Sequence, residues 1–169
     1  MSIGKPTAKD EEMMEQAIAE AQAAIDNGKA GVAALLLWQD EILAIAHNMH
    51  VETGDITAHA EMVVLRKAAK RLDQMSEAQK PDLTLYSTLE PCLMCLSAIS
   101  FVGIKRVVYS ALTKDAKAED MVAKGITADT INPLLIRGQM ELVSSVKREQ
   151  GIDLLRQMGK NSSSLKEYP

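Results

Sequence analysis

Large flat side chains are scarce in this chain: one Trp, one Phe and three Tyr make up 3% of its 169 residues. A protein that stacks many bases in succession on aromatic platforms is therefore disfavoured, although handling one base at a time is not excluded. Cysteine is scarce too. Two Cys cannot staple a small secreted fold, and the opening Met1-Ser2-Ile3-Gly4-Lys5-Pro6-Thr7 lacks the apolar core of a signal peptide, so a cytoplasmic location is expected. No apolar run approaches the roughly 18 residues of a membrane span. Positive charge is in short supply as well: 19 Lys and Arg face 23 Asp and Glu, a net charge of −4. That balance argues against a constitutive nucleic-acid binder without forbidding a local basic patch.

What is present describes an ordinary globular domain. The chain is 47% apolar and 25% charged, near the usual averages, and shows no repeat or linker. We expect a single domain over residues 1–160 and a tail, 161–169, that is either flexible or closes a pocket with Tyr168. Met13, Met14, Ala17, Ile18, Ala21, Ala24 and Ile25 recur every three or four residues and predict an amphipathic helix over 10–27. The unbroken apolar run 32–38 predicts a strand covered on both faces, and 41–46 returns as its hairpin partner across Gln39-Asp40. A helix is predicted over 58–72 with Thr57 as its cap, a strand over 83–89, a helix over 92–102 led by Pro91 and ended by Gly103, and a strand at 107–109. Further on, a short helix is expected near 132–136, a break at Gly138, a strand through Met140 and Leu142, and a last helix carrying Ile152, Leu155 and Met158. Strands alternating with helices imply an α/β fold, a three-layer αβα sandwich with a mixed sheet inside. Trp38 and Phe101 are expected in the core.

The chemistry concentrates at two helix openings, Thr57-Ala58-His59-Ala60-Glu61 and Glu90-Pro91-Cys92-Leu93-Met94-Cys95. Cys92 and Cys95 stand three apart, on one helical face, and a helix N-terminus favours the thiolate that binds zinc. One imidazole and two thiolates leave a fourth tetrahedral position for water, the pattern of a catalytic site. His47 and His50 are weaker candidates for a fourth ligand, because neither stands at a pair spacing with the cysteines. Two thiolates cancel the charge of the metal and leave its water less acidic than a three-histidine site would, so a carboxylate must move the proton. Glu61, two residues from His59, is that carboxylate.

His59-x-Glu61 followed by Pro91-Cys92-x-x-Cys95 resembles the signature of the zinc-dependent cytidine, cytosine, guanine and tRNA-adenosine deaminases. The resemblance runs from the Asn48 loop through Tyr109 and leans toward the nucleobase and tRNA-adenosine branch. It implies a five-stranded mixed sheet with helices on both faces, a homodimer, Zn²⁺ held by His59, Cys92 and Cys95, and Glu61 as proton shuttle. Asn48 matches the position that hydrogen-bonds the base, and the candidate substrate contacts are Asn48, Ala60, Glu90 and Glu119. Two positions depart from the pattern: Gly31-Val32-Ala33 stands where Pro-x-Gly is usual, and Ile56 where Pro is common.

The expectation is a zinc-dependent hydrolase acting on C–N bonds, in which zinc-activated water attacks the carbon bearing an amino group on a heteroaromatic ring. A free base of guanine type is favoured as substrate, because Glu90 and the acidic segment at Glu119-Asp120 suit a ring edge rich in N–H donors. Cytosine is the next choice. Adenosine in tRNA comes third, since an acidic chain is a poor match for a phosphate backbone. From another class, a catalytically silent, zinc-stabilised binding module and a dithiol redox protein remain open, but neither has a use for Glu61.

Overall fold

The computed structural model describes residues 4–118 and 123–161. Glu119, Asp120 and Tyr168 fall outside them, so the substrate contact expected of Glu119 and the pocket-closing role of the tail lie outside the described residues. Five strands, β1 (Ala33–Trp38), β2 (Glu41–His47), β3 (Leu83–Leu89), β4 (Arg106–Ala111) and β5 (Glu141–Val143), form one sheet in the order β2-β1-β3-β4-β5. β1 pairs antiparallel with β2 and β3, whereas β4 runs parallel to both β3 and β5, so the sheet is mixed as expected. Among the described residues there are seven α-helices: α1 (Ala8–Asp26), α2 (His50–Thr53), α3 (Ala60–Lys67), α4 (Ala69–Asp73), α5 (Leu93–Val102), α6 (Ala128–Ile131) and α7 (Arg148–Asn161). None of them is long and apolar enough to cross a membrane.

The strands alternate their side chains between two cores, as a period of two requires. Leu35 and Leu37 of β1, Tyr86 of β3, Val108 of β4 and Val143 of β5 pack with Met13, Met14 and Ala17 of α1. Ala34, Leu36, Leu85, Val107, Tyr109 and Leu142 point the other way, toward Val63 and Val64 of α3 and Leu96 and Ile99 of α5. The apolar run of β1 is thus covered on both faces, and the three layers follow from it.

Helix α1 begins where its sequence dictates: Asp10 donates its backbone N–H to Thr7 Oγ1 at 3.2 Å while its carboxylate accepts the Thr7 N–H at 2.7 Å, a reciprocal capping box. The same carboxylate reaches further than a cap. It accepts both Arg106 Nη atoms, at 2.6 and 2.9 Å, and the Tyr86 hydroxyl at 3.0 Å, and so ties α1 to β3 and β4.

Several expectations are corrected. The helix predicted over 58–72 is two helices, and Thr57 does not cap it; its hydroxyl donates to Asp55 Oδ1 at 2.6 Å and accepts from Arg66 at 3.0 Å. Asp55 to Ala58 form a turn, closed by Ala58 N–H to Asp55 O at 3.0 Å, and His59 is the one extended residue before the first helical turn. Cys92 likewise precedes α5 and is not its first residue. Phe101 is 71% exposed on the outer side of α5, with the Arg137 guanidinium 5.1 Å from its ring, and Trp38 is only half-buried beneath Arg71. In α7, Gly151 and Leu154 are buried in place of Ile152 and Leu155. A Cβ at Gly151 would come within 2.5 Å of Ser110 Oγ and 2.9 Å of a backbone nitrogen of β4, so glycine sets how closely this helix approaches the sheet.

Candidate metal and catalytic site

His59 and Cys92 occupy equivalent places. Each is the last extended residue before a helix, at φ −61°, ψ 154° and φ −69°, ψ 170°, and neither caps its own helix with its side chain. Side chains at such positions normally fold back on the first turn; here both lean across to each other. β3 delivers Glu90-Pro91-Cys92 at its C-terminal end, and the antiparallel β1 with the loop after β2 brings α3 alongside. The N-termini of α3 and α5 converge on one point, and their dipoles favour negative charge there.

His59 Nδ1 lies 3.7 Å from Cys92 Sγ and 3.6 Å from Cys95 Sγ. All three ligand atoms fall within 4.8 Å of one another. Zinc bonds of about 2.3 Å to sulfur and about 2.0–2.1 Å to nitrogen, at a tetrahedral angle, put N and S about 3.6 Å apart. The residues therefore fit a zinc ion with three protein ligands. Of the two thiols, only Cys92 is drawn toward the thiolate by its surroundings. Hydrogen bonding from Cys95 draws Cys92 down to about 4 in spite of burial, and His59 adds to this. The same hydrogen bond, then burial and the neighbouring Glu61 charge, push Cys95 up. His59 is raised, first by its contact with Cys92.

Glu61 sits in the first turn of α3 at 4% exposure. Its Oε1 accepts from Ser87 Oγ at 3.2 Å and its Oε2 from Cys95 Sγ at 3.5 Å, so it stands against the ligand set but is a separate group. Burial is the main cause that raises its carboxyl above the ordinary value. Ser87 was not singled out in the sequence, yet a hydroxyl among Leu83, Leu85 and Leu89 on one stripe of β3 was the available signal. It is fully buried and orients the carboxylate.

Asn48 follows the last residue of β2. Its backbone N–H donates to the Val32 carbonyl at 2.9 Å, and its side-chain amide, turned to face acceptors, donates to the Ala30 and Val32 carbonyls at 3.1 and 3.3 Å. The amide oxygen then faces His50 Nδ1 at 3.4 Å. Gly31 permits this close loop, since a Cβ there would meet Ile25 at 2.3 Å. Ala60 is buried at the start of α3.

Glu90, expected at the substrate, is committed elsewhere. One carboxylate oxygen accepts the Ala128 N–H at 2.7 Å and the other the Thr113 N–H at 2.8 Å, so it clamps both ends of the segment between β4 and α6. His47 and His50 are outside the ligand group.

Residues 7–111 match the cytidine and deoxycytidylate deaminase zinc-binding region. A tRNA-specific adenosine deaminase of Buchnera aphidicola is 35% identical over 116 residues, 69% of this chain and 75% of that protein. Among solved structures, one from studies of A-to-I editing by tRNA:A34 deaminases at the wobble position of transfer RNA superposes with a TM-score of 0.69 at 30% identity. It covers 85% of this chain and 99% of that one. A guanine deaminase from Nitrosomonas europaea superposes at 0.76 with 24% identity, over 89% of this chain and 84% of that one, a likeness of fold. The preference for a free guanine-type base is not supported by these relatives, and the tRNA alternative is the better match. With the signature residues gathered at one point and the match running through all of them, the chain belongs to the cytidine and deoxycytidylate deaminase zinc-binding family, and is a zinc-dependent hydrolase that removes an amino group.

Proposed function

We propose that this protein converts adenosine to inosine in tRNA. The observation that carries the reading is the 35% identity to a tRNA-specific adenosine deaminase across three quarters of that protein. The geometry supports it by removing a reason for the guanine choice: Glu90, invoked to accept the N–H groups of a guanine edge, has both oxygens occupied by backbone donors. Charge distribution supports it too. From Lys105 onward the chain carries 11 Lys and Arg against 8 Asp and Glu, while the preceding residues carry 8 against 15. The overall acidity that argued against a polyanion belongs to the first two thirds of the chain.

His59, Cys92 and Cys95 would hold the zinc, which supplies the Lewis acidity that activates a water molecule toward the carbon bearing the amine. Glu61 takes the water proton on its Oε2 side, passes it to the ring nitrogen, and assists departure of ammonia, while Ser87 keeps the other oxygen in place. Asn48 and the buried start of α3 at Ala60 meet the base. A homodimer belongs to the same proposal, supported by Phe101, Leu134 and Ile136, which are 71%, 75% and 103% exposed. Sedimentation at the mass of one chain would remove it.

The substrate test compares kcat/KM for a tRNA anticodon stem-loop, guanine and cytosine with the zinc-loaded protein. Inosine formed in the RNA, with the free bases slower by at least about 10²-fold, is the expected result. Turnover of guanine or cytosine with an inert stem-loop overturns the reading.

A further inference from the structure

Beside Asn48, and outside the ligand group, three titratable side chains form a bridge that the proposed chemistry does not use. His47, the last residue of β2, has 14% of its side chain exposed. Its Nδ1 lies 2.8 Å from Glu20 Oε1 of α1, and its Nε2 lies 3.0 Å from Glu52 Oε1 of α2. Ionised carboxylates only accept, and a neutral imidazole donates from one nitrogen alone. Either neutral tautomer would therefore set a ring lone pair against a carboxylate lone pair at hydrogen-bond distance. An imidazolium donates to both. Glu52 is held below the usual carboxylate range: burial raises it, but the His47 hydrogen bond and others, including Lys29, outweigh that effect.

The bridge bears on the substrate loop through its position. Glu52 lies on α2, the single turn that follows Asn48 and closes on itself through Gly54 N–H to His50 O at 3.0 Å. On its other side the loop is pinned by Met49 N–H to Ala58 O at 2.8 Å, just before His59. Between these anchors α2 is held to α1 by the Glu20–His47–Glu52 bridge, with Lys29 Nζ 3.5 Å from Glu52.

We propose that His47 is a positioning residue: as an imidazolium it links α1 to α2 and so holds the Asn48 loop in the geometry that receives the base. The inference rests on the reading of Asn48 as a substrate contact. The groups facing the ring are Glu20 from α1 and Glu52 from α2, with Lys29 behind Glu52 and His50 beside Asn48. When the ring loses its proton at rising pH, one half of the bridge turns repulsive and α2 is released. Glu52→Gln removes that dependence. Its amide donates to Nε2 of a neutral ring whose Nδ1–H still reaches Glu20, and Lys29 turns to solvent.

The test uses the zinc-loaded full chain as wild type, Glu52→Gln and His47→Phe. Ring-nitrogen chemical shifts of His47 and amide protection factors at residues 48–54 are followed against pH without substrate, and KM and kcat against pH with the stem-loop. In wild type, loop protection should fall and KM rise by roughly tenfold as the ring deprotonates, the scale of one charge-assisted hydrogen bond, with kcat nearly unchanged. Glu52→Gln should flatten both profiles at the low-pH level, and His47→Phe should show the raised KM at every pH. A Glu52→Gln profile that follows wild type, or a His47→Phe variant with wild-type KM and loop protection, overturns the proposal. An inert stem-loop beside the expected protection profile supports the bridge and counts against the tRNA reading alone.

Discussion

Glu61 is the residue whose chemistry can be separated from its shape. Glu61→Gln keeps the volume and the Ser87 contact but cannot accept a proton, so zinc content and fold should survive while kcat falls by about 10²–10⁴-fold or more. A variant within about threefold of wild type would assign the proton transfers elsewhere. The sulfur ligands give the complementary result: Cys92→Ala and Cys95→Ala should each lose zinc on metal analysis, since two remaining ligands of the three make a poor site. Full occupancy in both would dissolve the assignment. Glu90 makes a third case, where the structure redirects the experiment. Glu90→Gln turns one amide N–H toward a backbone donor and should cost about 1–3 kcal/mol in urea unfolding, from a buried group left unsatisfied. If Glu90 instead read the substrate, stability would hold and KM would rise.

At the scale of elements, the link between α1 and β4 sets how the fold answers acid. Burial alone would raise the Asp10 carboxyl, but the hydrogen bonds from Arg106 and Thr7 outweigh it and hold the group at about 2, against 3.8 for a free side chain. A carboxylate depressed in the folded state stabilises fully above its unfolded value and stops doing so as pH falls through its folded one. Asp10→Asn should therefore be less stable than wild type by about 2–3 kcal/mol at neutral pH, and the gap should close as pH drops from about 4 to about 2. Urea unfolding of both proteins across that range measures it. A constant gap would mean that the cap and the packing, and not the ion pair, carry the effect.

For the whole molecule, the uneven charge predicts a salt response that depends on substrate. If the positive C-terminal third meets phosphates, log kcat/KM for the stem-loop should fall with log salt by about 0.7–0.9 per phosphate neutralised, while any residual turnover of a free base stays flat. A stem-loop rate indifferent to salt would detach RNA binding from that part of the chain.

The sequence alone determined the layers and the side chains that could hold a metal, because both rest on local pattern. The period of the apolar residues in 10–27 and the unbroken run in 32–38 are properties of neighbouring residues, and α1 and β1 follow them. His59, Glu61, Cys92 and Cys95 stand out for the same reason, their spacings within two short segments, which the fold then brings together. The sequence did not show that the helix predicted over 58–72 would start only at Ala60, since the Asp55–Thr57–Arg66 contacts that shape the turn before it span eleven residues. Nor did it show that Phe101 faces outward, because an apolar helix such as α5 offers no polar stripe to mark its outer side. The fate of a buried polar group was equally out of reach. In the sequence Glu90 suits a ring edge rich in N–H donors, yet in the fold it satisfies two backbone N–H groups 23 and 38 residues away. Which donor a buried acceptor meets is decided by how the chain packs, and only the tertiary structure brings Glu20, His47 and Glu52 to one imidazole or Ser87 to Glu61.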